Sequence, residues 1–409
     1  MNYNLLLELT ADLGYRLACN GAETYRVEDS VDRVLSAYGV TSEVFAIPNC
    51  LTVSIETDDG KPMTRMRRIH SVSTNMDAIE RYNSLSRRLC AETPDLATAQ
   101  QWLNETDRST TQYRLPMYLI GHLLTAFGFC IFFGGSVVDS LCSGLCGVLI
   151  GFISLLTSRL KVNTFFSTIL SAFTMSSAAY IMSGAGLTNN ADAVIIGALM
   201  LLVPGMLFTN AMRDIIFGDT NSGVNRIVQV LLIAVAIALG TGCAWKLVDA
   251  FMDIPASIAN SHPGWLQCIA AIVSCIGFAI VFNVHGRGFV LCVLGGGIAW
   301  AAYLISFRLG CGEPLSYFFA AVVSALYSEI MARIRKYPAT SYLVISLMPM
   351  FPGAGVYYAT NHFVNNNMQG FADKGRITIA IAGALAIGVL FISTLFRLYS
   401  NYRLNKIRK

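Results

Sequence analysis

A Pro-Gly pair interrupts a strongly apolar stretch of the sequence, and polar side chains follow it closely. Pro204 and Gly205 divide the run MLLVPGMLFTNAMRD, and Thr209, Asn210 and Asp214 come within about three turns of helix. Proline removes a backbone donor and glycine adds conformational freedom, so an apolar helix that carries both loses part of its hydrogen-bond ladder. Other groups must satisfy the freed backbone, and the break therefore marks a candidate substrate-binding site.

The same arrangement recurs in the second half of the chain. Pro352 and Gly353 lie 148 residues after the first pair (352 − 204 = 148), and Asn361 and His362 follow them. Two ordinary proline kinks are the alternative, but two breaks at matching positions favour a functional role. We expect both breaks to expose half-helix ends and carbonyls to a water-lined cavity, because irregular backbone is tolerated at membrane depth only there or inside protein.

Ionisable side chains within apolar segments are functional candidates, because they are costly to bury. A histidine such as His122 could titrate near neutral pH, although a satisfied core histidine is the alternative. Asp139 could instead cap the following helix, and Glu329 could pair with Arg333 one turn later. The candidates for proton coupling are His122, Asp139, Asp214, Glu329 and His362.

Small hydroxyl side chains form a polar stripe on two further apolar segments. Ser171 belongs to one stripe and Ser324 to the other. Such residues allow close helix packing at least as often as they line a pathway. If the stripes face a shared cavity, they would offer neutral hydrogen-bonding groups to a zwitterion, and we include both serines among the candidate substrate-binding residues.

The composition indicates a membrane protein. The chain has 409 residues, of which 54% are hydrophobic and only 13% charged, against about 25% charged in soluble domains. Charged residues concentrate in 1–112, which we read as a cytoplasmic domain, since the first residues lack the pattern of a signal peptide. The eleven cysteines show no CxxC motif or zinc spacing. We predict no metal, no cofactor and no nucleic-acid partner.

Ten segments are long and apolar enough to cross a bilayer, which requires about 20 residues. Lysine and arginine concentrate in the connections that are internal when the amino terminus is cytoplasmic. Both termini are then cytoplasmic, the protein is multi-pass in the bacterial cytoplasmic (inner) membrane, and the basic tail RLNKIRK would contact anionic lipids. The segments are 116–134, 136–157, 164–184, 192–212, 223–247, 265–284, 287–307, 315–333, 341–359 and 376–397.

The two halves of the membrane region are related in sequence. GFCIFFGGSVVD at 128–139 aligns with GFAIVFNVHGRG at 277–288, an offset of 149 residues (277 − 128 = 149). We therefore predict two five-helix repeats, 113–250 and 251–409. Five crossings are an odd number, so the repeats would have inverted orientations, which is the architecture of many secondary transporters.

The amino-terminal domain reads as a small α+β domain with no catalytic motif. Helical patterns flank three strand-like segments, and Asp58-Asp59-Gly60 is typical of a hairpin turn. Cys50, Ser54 and His70 are residue types used in nucleophilic catalysis, but no known motif arranges them. We predict that the chain is not an enzyme, with a membrane-anchored hydrolase as the alternative.

Three stretches resemble the threonine/serine exporter family in its single-chain form with fused five-span halves. They are GAETYRVEDSVDRVLSAYG at 21–39, PNCLTVSIET at 48–57 and LVPGMLFTNAMRDIIFGDTNSGVNR at 202–226. The resemblance implies secondary active export of small hydroxy amino acids, threonine and serine, driven by the proton motive force.

Other cargoes and mechanisms stay open at this point. Small dicarboxylates such as succinate are the rival substrates, and Arg213, Arg226 and Arg376 could serve such anions. A passive channel is a further alternative. The expected partners are a small-molecule substrate, protons and membrane lipids, with a possible homo-oligomer.

Overall fold

A computed structural model describes residues 1–70, 72–255, 260–286, 288–335, 339–364 and 367–407. Two compact units make up the chain. The first comprises Met1–Tyr113 together with the short segment Phe282–His285, and the second comprises Arg114–Val281 and Gly286–Lys409.

The first unit contains four helices and one antiparallel sheet in the strand order β1-β2-β3. Leu51, Val53 and Ile55 alternate along the central strand and are buried, as the two-residue period of a half-buried strand requires. Gly60 has a positive φ of 69° in the turn that leads into the third strand. The elements are α1 Tyr3–Cys19, α2 Thr24–Ala37, β1 Ser42–Ile47, β2 Cys50–Glu56, β3 Pro62–Arg68, α3 Met76–Glu92 and α4 Leu96–Ser109.

The second unit is entirely helical in the part that the structure describes. Its helices are α5 Leu115–Phe132, α6 Val137–Arg159, α7 Thr164–Gly184, α8 Ala191–Leu199, α9 Gly205–Phe217, α10 Thr220–Asp249, α11 Gly264–Val281, α12 Gly288–Arg308, α13 Glu313–Arg335, α14 Ala339–Leu347, α15 Gly353–Val364 and α16 Met368–Ile407, with a 3₁₀ turn at Met348–Met350. The chain is therefore a polytopic helical membrane protein.

Eight described helices are individually long and apolar enough to cross a membrane: α5, α6, α7, α10, α11, α12, α13 and α16. The two other predicted spans are those that carry the Pro-Gly pairs, and both are interrupted. The ninth bends by 45° between Ala339–Met350 and Gly353–Ala359. The fourth consists of α8, with 9 residues, and α9, with 13, each shorter than the bilayer core at about 1.5 Å per residue.

Helices α5 and α11 cross at glycines that occupy equivalent positions in the two halves. A Cβ atom on Gly128 would lie 3.0 Å from the carbonyl oxygen of Ala270, and one on Gly277 would lie 2.6 Å from that of Gly121. Both pairs of equivalent residues differ by 149 (277 − 128 and 270 − 121). The contact is thus reciprocal: each glycine closely approaches the backbone of the other helix.

A second pair of glycines repeats the packing of α10 on α7 in the packing of α16 on α13. A Cβ atom on Gly240 would lie 2.6 Å from the Ile169 carbonyl oxygen, and one on Gly388 would lie 2.9 Å from the Phe318 carbonyl oxygen. These glycines are 148 residues apart and their contact partners 149 apart (388 − 240 and 318 − 169). Small residues permit such close backbone approach between membrane helices.

Replacing Gly240 with alanine should destabilise the membrane unit, because the new methyl group would meet backbone of α7. We expect a loss of about 1–3 kcal/mol, the usual cost of overpacking, seen as a lower thermal unfolding midpoint in detergent. Gly242 lies on the same helix with nothing within 4 Å of its Cβ position, so Gly242→Ala is the matched control. Equal midpoints for the two variants would contradict the packing described for Gly240.

Candidate functional site

The two Pro-Gly breaks meet each other in the membrane unit. A Cβ atom on Gly205 would lie 2.7 Å from Phe351 Cβ and 3.7 Å from the Gly353 backbone nitrogen. A Cβ atom on Gly353 would lie 2.8 Å from Val203 Cγ1. Val203 and Phe351 are again 148 residues apart, as are the glycines (351 − 203 and 353 − 205). The breaks therefore approach through reciprocal contacts, and only glycine leaves room for them.

The backbone at the first break shows why the helix is interrupted. The amide of Leu202 donates to the Leu199 carbonyl at 2.8 Å, a tight turn that ends α8. Pro204 cannot donate a backbone hydrogen bond, and α9 begins at Gly205 with no side chain capping its first turn. The second break has the same form, since the Gly353 amide donates to the Phe351 carbonyl at 2.7 Å just as the Gly205 amide donates to the Val203 carbonyl at 2.9 Å.

Four helix ends lie at the two breaks. Two are amino-terminal ends and two are carboxyl-terminal ends, so their dipoles have opposite signs there. Helices α9 and α15 begin at the breaks and present the partial positive charge of their amino-terminal amides. Helix α8 and the 3₁₀ turn after α14 end there and present carbonyl oxygens. The meeting breaks thus offer both hydrogen-bond donors and acceptors without an ionised side chain.

One turn beyond each break, a hydroxyl side chain occupies the equivalent position. Thr209 is 4% exposed, and no hydrogen-bond partner is described for its buried Oγ1 atom. Tyr357, 148 residues later (357 − 209), packs against a core built by α5, α6, α7, α8 and α10. Sequence reasoning missed Tyr357, although the 148-residue offset from Thr209 points to it.

The remaining predicted residues of the breaks lie as follows. Pro204 and Pro352 are the residues directly before the glycines that start α9 and α15. Asn210 is half-buried on α9. The side chain of Asn361 lies outside the described residues.

The predicted serine stripes occupy helix contacts. Ser171 is buried and lies between Ile169 and Ala172, the residues of α7 that approach Gly240. Ser324 is also fully buried, two residues beyond the contact of α13 with Gly388, and its hydroxyl has no described hydrogen-bond partner. These positions fit the packing role that was the alternative for both stripes.

An ion pair lies at the far end of the helix that starts at the first break. Asp214 is 6% exposed, and its Oδ2 atom lies 2.9 Å from Nε of Arg226 on α10. The neighbouring Arg213 is also buried. Gly218, at a positive φ of 99°, turns the chain from α9 into α10 and allows this pairing. Asp214 is thus the buried coupling candidate that the structure places next to a largely buried opposite charge.

Two other acidic candidates have local structural roles. Asp139 and Ser136 form a capping box at the start of α6, in which the Ser136 amide donates to Asp139 Oδ2 at 2.8 Å. The Thr188 hydroxyl donates to the other carboxylate oxygen. Glu329 pairs with Arg333 one turn along α13, at 2.6 Å. Both arrangements match the structural roles given above as alternatives to proton coupling, namely helix capping for Asp139 and ion pairing for Glu329.

The two histidine candidates differ in their surroundings. His122 is buried against α6, and its Nδ1 atom lies 2.9 Å from the Tyr118 carbonyl oxygen, to which an Nδ1–H would donate. A Cβ atom on Gly151 would lie 3.1 Å from the imidazole, so this glycine makes room for the ring. His362 lies half-buried in the last turn of α15, with Nδ1 at 3.4 Å from the side-chain nitrogen Nδ2 of Asn367.

No cluster of three or more His, Cys, Asp or Glu side chains suited to a metal ion occurs among the described residues. The groups that the structure brings to the two breaks are helix ends and the hydroxyl-bearing side chains of Thr209 and Tyr357.

Comparisons with known proteins cover both the amino-terminal unit and the membrane unit. The family described as "Putative threonine/serine exporter" matches residues 8–248, and the family "Threonine/Serine exporter, ThrE" matches residues 267–395. The first match spans the amino-terminal domain with the first half of the membrane unit, and the second lies within the other half. No solved structure matches the chain.

Two curated relatives match nearly the whole length. The "Threonine/serine exporter" of Corynebacterium glutamicum is 22% identical over 400 residues, which cover 94% of this chain and 81% of the relative. The "Probable threonine/serine exporter" of Mycobacterium tuberculosis is also 22% identical, over 94% of this chain and 74% of the relative. The families and relatives are all named as exporters, which places the chain among transporters rather than enzymes. The chain belongs to the threonine/serine exporter family.

Proposed function

We propose that the protein is a secondary active exporter of threonine and serine, and that the substrate binds where the two Pro-Gly breaks meet. The reciprocal approach of Gly205 and Gly353 is the observation that carries this proposal. A free amino acid is a zwitterion. Its carboxylate suits the amino-terminal ends of α9 and α15, and its ammonium group suits the carbonyls that end the preceding helices.

The charge pattern around the breaks favours a zwitterion over a dicarboxylate. No Asp, Glu, Lys or Arg occurs from residue 193 to 212 or from 337 to 372. Of the arginines that could serve an anion, Arg226 pairs with Asp214 at 2.9 Å and Arg376 with Asp373 at 3.6 Å. A net-neutral substrate needs no uncompensated cation in the membrane, whereas succinate would need two.

The hydroxyl of the substrate also has a matching group. Thr209 Oγ1 is buried one turn beyond the first break, with no described partner. A buried polar atom without a partner costs free energy, and a substrate hydroxyl would satisfy it. Tyr357 would act from the equivalent position of the other half.

We further infer ten crossings, with the fourth made by α8 and α9 together. Tyr113, before α5, donates from its hydroxyl to the carbonyl of Val284, after α11, at 2.9 Å. Both residues must then lie on one side of the membrane. The five long helices between them, α5, α6, α7, α10 and α11, are an odd number, so a further crossing is needed, and α8–α9 supplies it. With the bent pair α14–α15 also counted as one crossing, each half has five, which supports inverted repeats.

The distribution of Lys and Arg supports a cytoplasmic location for both termini in the bacterial cytoplasmic membrane. For proton coupling we favour Asp214. Protonation of this carboxylate would remove the charge that holds Arg226 and so loosen α9 from α10. Asp214 lies on α9, the helix that starts at the first break, so a movement of α9 on protonation would reach the substrate site directly.

Transport in inverted membrane vesicles tests the function. We expect labelled threonine and serine to accumulate when the vesicle interior is acidified. Without the gradient, their uptake should fall at least about tenfold. Labelled succinate should not accumulate. Vesicles without the protein give the background. Succinate uptake would show that the cargo is a dicarboxylate. Uptake that does not depend on the proton gradient would show a passive channel.

Substitution of Asp214 with asparagine tests the coupling residue. The change leaves Arg226 largely buried without its counter-charge, which costs about 3–5 kcal/mol when a buried pair is broken, and removes the proposed proton acceptor. We expect threonine transport to fall more than about tenfold. Glu329→Gln breaks a solvent-accessible pair of the same chemistry, worth about 1 kcal/mol or less, and should transport nearly normally. Equal transport by both variants at equal expression would rule out Asp214.

Substitution of either meeting glycine tests the site. Gly353→Ala places a methyl group within 2.8 Å of Val203, so we expect the breaks to separate and threonine transport to fall about tenfold or more. Gly375→Ala, where nothing lies within 4 Å of the Cβ position, is the control. Normal transport by Gly353→Ala would move the substrate site away from the breaks.

A further inference from the structure

The turn that joins α11 to α12 is part of the amino-terminal unit. Asn283 in this turn has a positive φ of 60° and is 6% exposed. Its side-chain amide donates to Asn75 Oδ1 at 2.9 Å and to the Thr111 carbonyl at 2.6 Å, and its oxygen accepts from the Tyr113 amide at 3.1 Å. The side chain of one turn residue thus ties together three segments of chain.

The rest of the turn adds contacts of the same kind. The Met76 amide donates to the Phe282 carbonyl at 2.9 Å, and the Tyr113 hydroxyl donates to the Val284 carbonyl at 2.9 Å. The ring of Tyr113 stacks on that of His285 with centroids 4.2 Å apart. We call the contact of residues 111–113 and 75–76 with residues 282–285 the domain-side clamp. Tyr113 lies two residues before α5, and Phe282 directly follows α11.

A related contact lies at the other end of the same helix pair. The His262 Nε2 atom lies 2.9 Å from the Gly135 carbonyl oxygen, just as the Tyr113 hydroxyl contacts the Val284 carbonyl. The equivalent residues are 149 apart in both cases (262 − 113 and 284 − 135). We call this contact of residues 260–262 with residues 133–136 the far clamp.

The turn residues at the centre of the two clamps differ. Gly134, with a φ of 97°, occupies the position equivalent to Asn283 (283 − 134 = 149) and abuts the Asn260 carbonyl. Glycine has no side chain to donate, so the far clamp lacks the amide hydrogen bonds of Asn283. The amino-terminal domain supplies the added partners of the domain-side clamp.

We propose that the two clamps fix α5 and α11 to each other as the static scaffold of the transporter, and that the amino-terminal domain serves as part of this scaffold rather than as a gate. The helices also interlock between the clamps at Gly128 and Gly277. A pair held at both ends and at its crossing cannot slide or splay without breaking several hydrogen bonds that are buried or partly buried. The conformational change of transport is then confined to the interrupted helices and their neighbours.

Cross-linking distinguishes a scaffold from a gate. In the variant Asn75→Cys with Asn283→Cys, the clamp loses its amide hydrogen bonds, and we expect transport to fall about threefold or more. A short thiol cross-linker should then restore transport, because it re-forms the connection. Loss of the remaining transport on cross-linking would show that the clamp must open and would overturn the proposal. Gln101→Cys with Glu105→Cys, one turn apart on α4, controls for the reagent.

The transport readout rests on the proposed function, whereas hydrogen exchange does not. Asn283→Gly keeps a residue suited to a positive φ and removes only the side chain. We expect backbone exchange at Met76 and Tyr113 to rise about fivefold or more, with no such change in Asn189→Gly, an exposed loop asparagine. Unchanged exchange would refute the clamp even if threonine transport is shown. Raised exchange in a protein that does not transport threonine would refute only the proposed function.

Discussion

The lipid bilayer offers no hydrogen bonds to the backbone, and this constraint governs the membrane unit. An uninterrupted helix meets it internally, but the chain interrupts two of its membrane segments with Pro-Gly pairs. The freed groups must then be enclosed by protein or by ligand. When the two interruptions pack against each other, they enclose these backbone groups and form a polar site without a charged side chain. The proposed recognition of a zwitterion follows from a site that has hydrogen-bond donors and acceptors but no net charge.

Glycine contacts make the arrangement possible. The crossing of α5 and α11, the packing of α10 and α16 on their partners, and the meeting of the breaks all use glycines at matching positions in the halves. At each place a methyl group would collide with backbone or with a neighbouring side chain. The offset of 148–149 residues therefore recurs in the glycine contacts more clearly than in sequence identity, which is confined to a few short stretches.

Sequence patterns predicted the parts of the fold that depend on local signals. The long apolar helices and the two interruptions at Pro204 and Pro352 are examples, since hydropathy and proline act within one segment. Other features depend on residues more than a hundred positions apart. Asn283 fell within the predicted span 265–284, because nothing near it in sequence shows that Asn75 and Thr111 are its partners. Tyr357 was overlooked because aromatic residues are common in apolar helices. Asp139 and Glu329 drew attention as charges within apolar segments. In the structure Asp139 caps its own helix and accepts from Thr188, and Glu329 pairs with Arg333 one turn away.

The pairing of α5 with α11 also has a consequence for biogenesis. The two glycines at their crossing are separated by 149 residues (277 − 128), and ribosomes add roughly 5–20 residues per second. Helix α5 therefore enters the membrane roughly 7–30 s before its main partner exists. During that interval its glycine and hydroxyl face is uncovered, and the nascent chain must rely on lipid, the insertion machinery or the other helices of its own half to shield it.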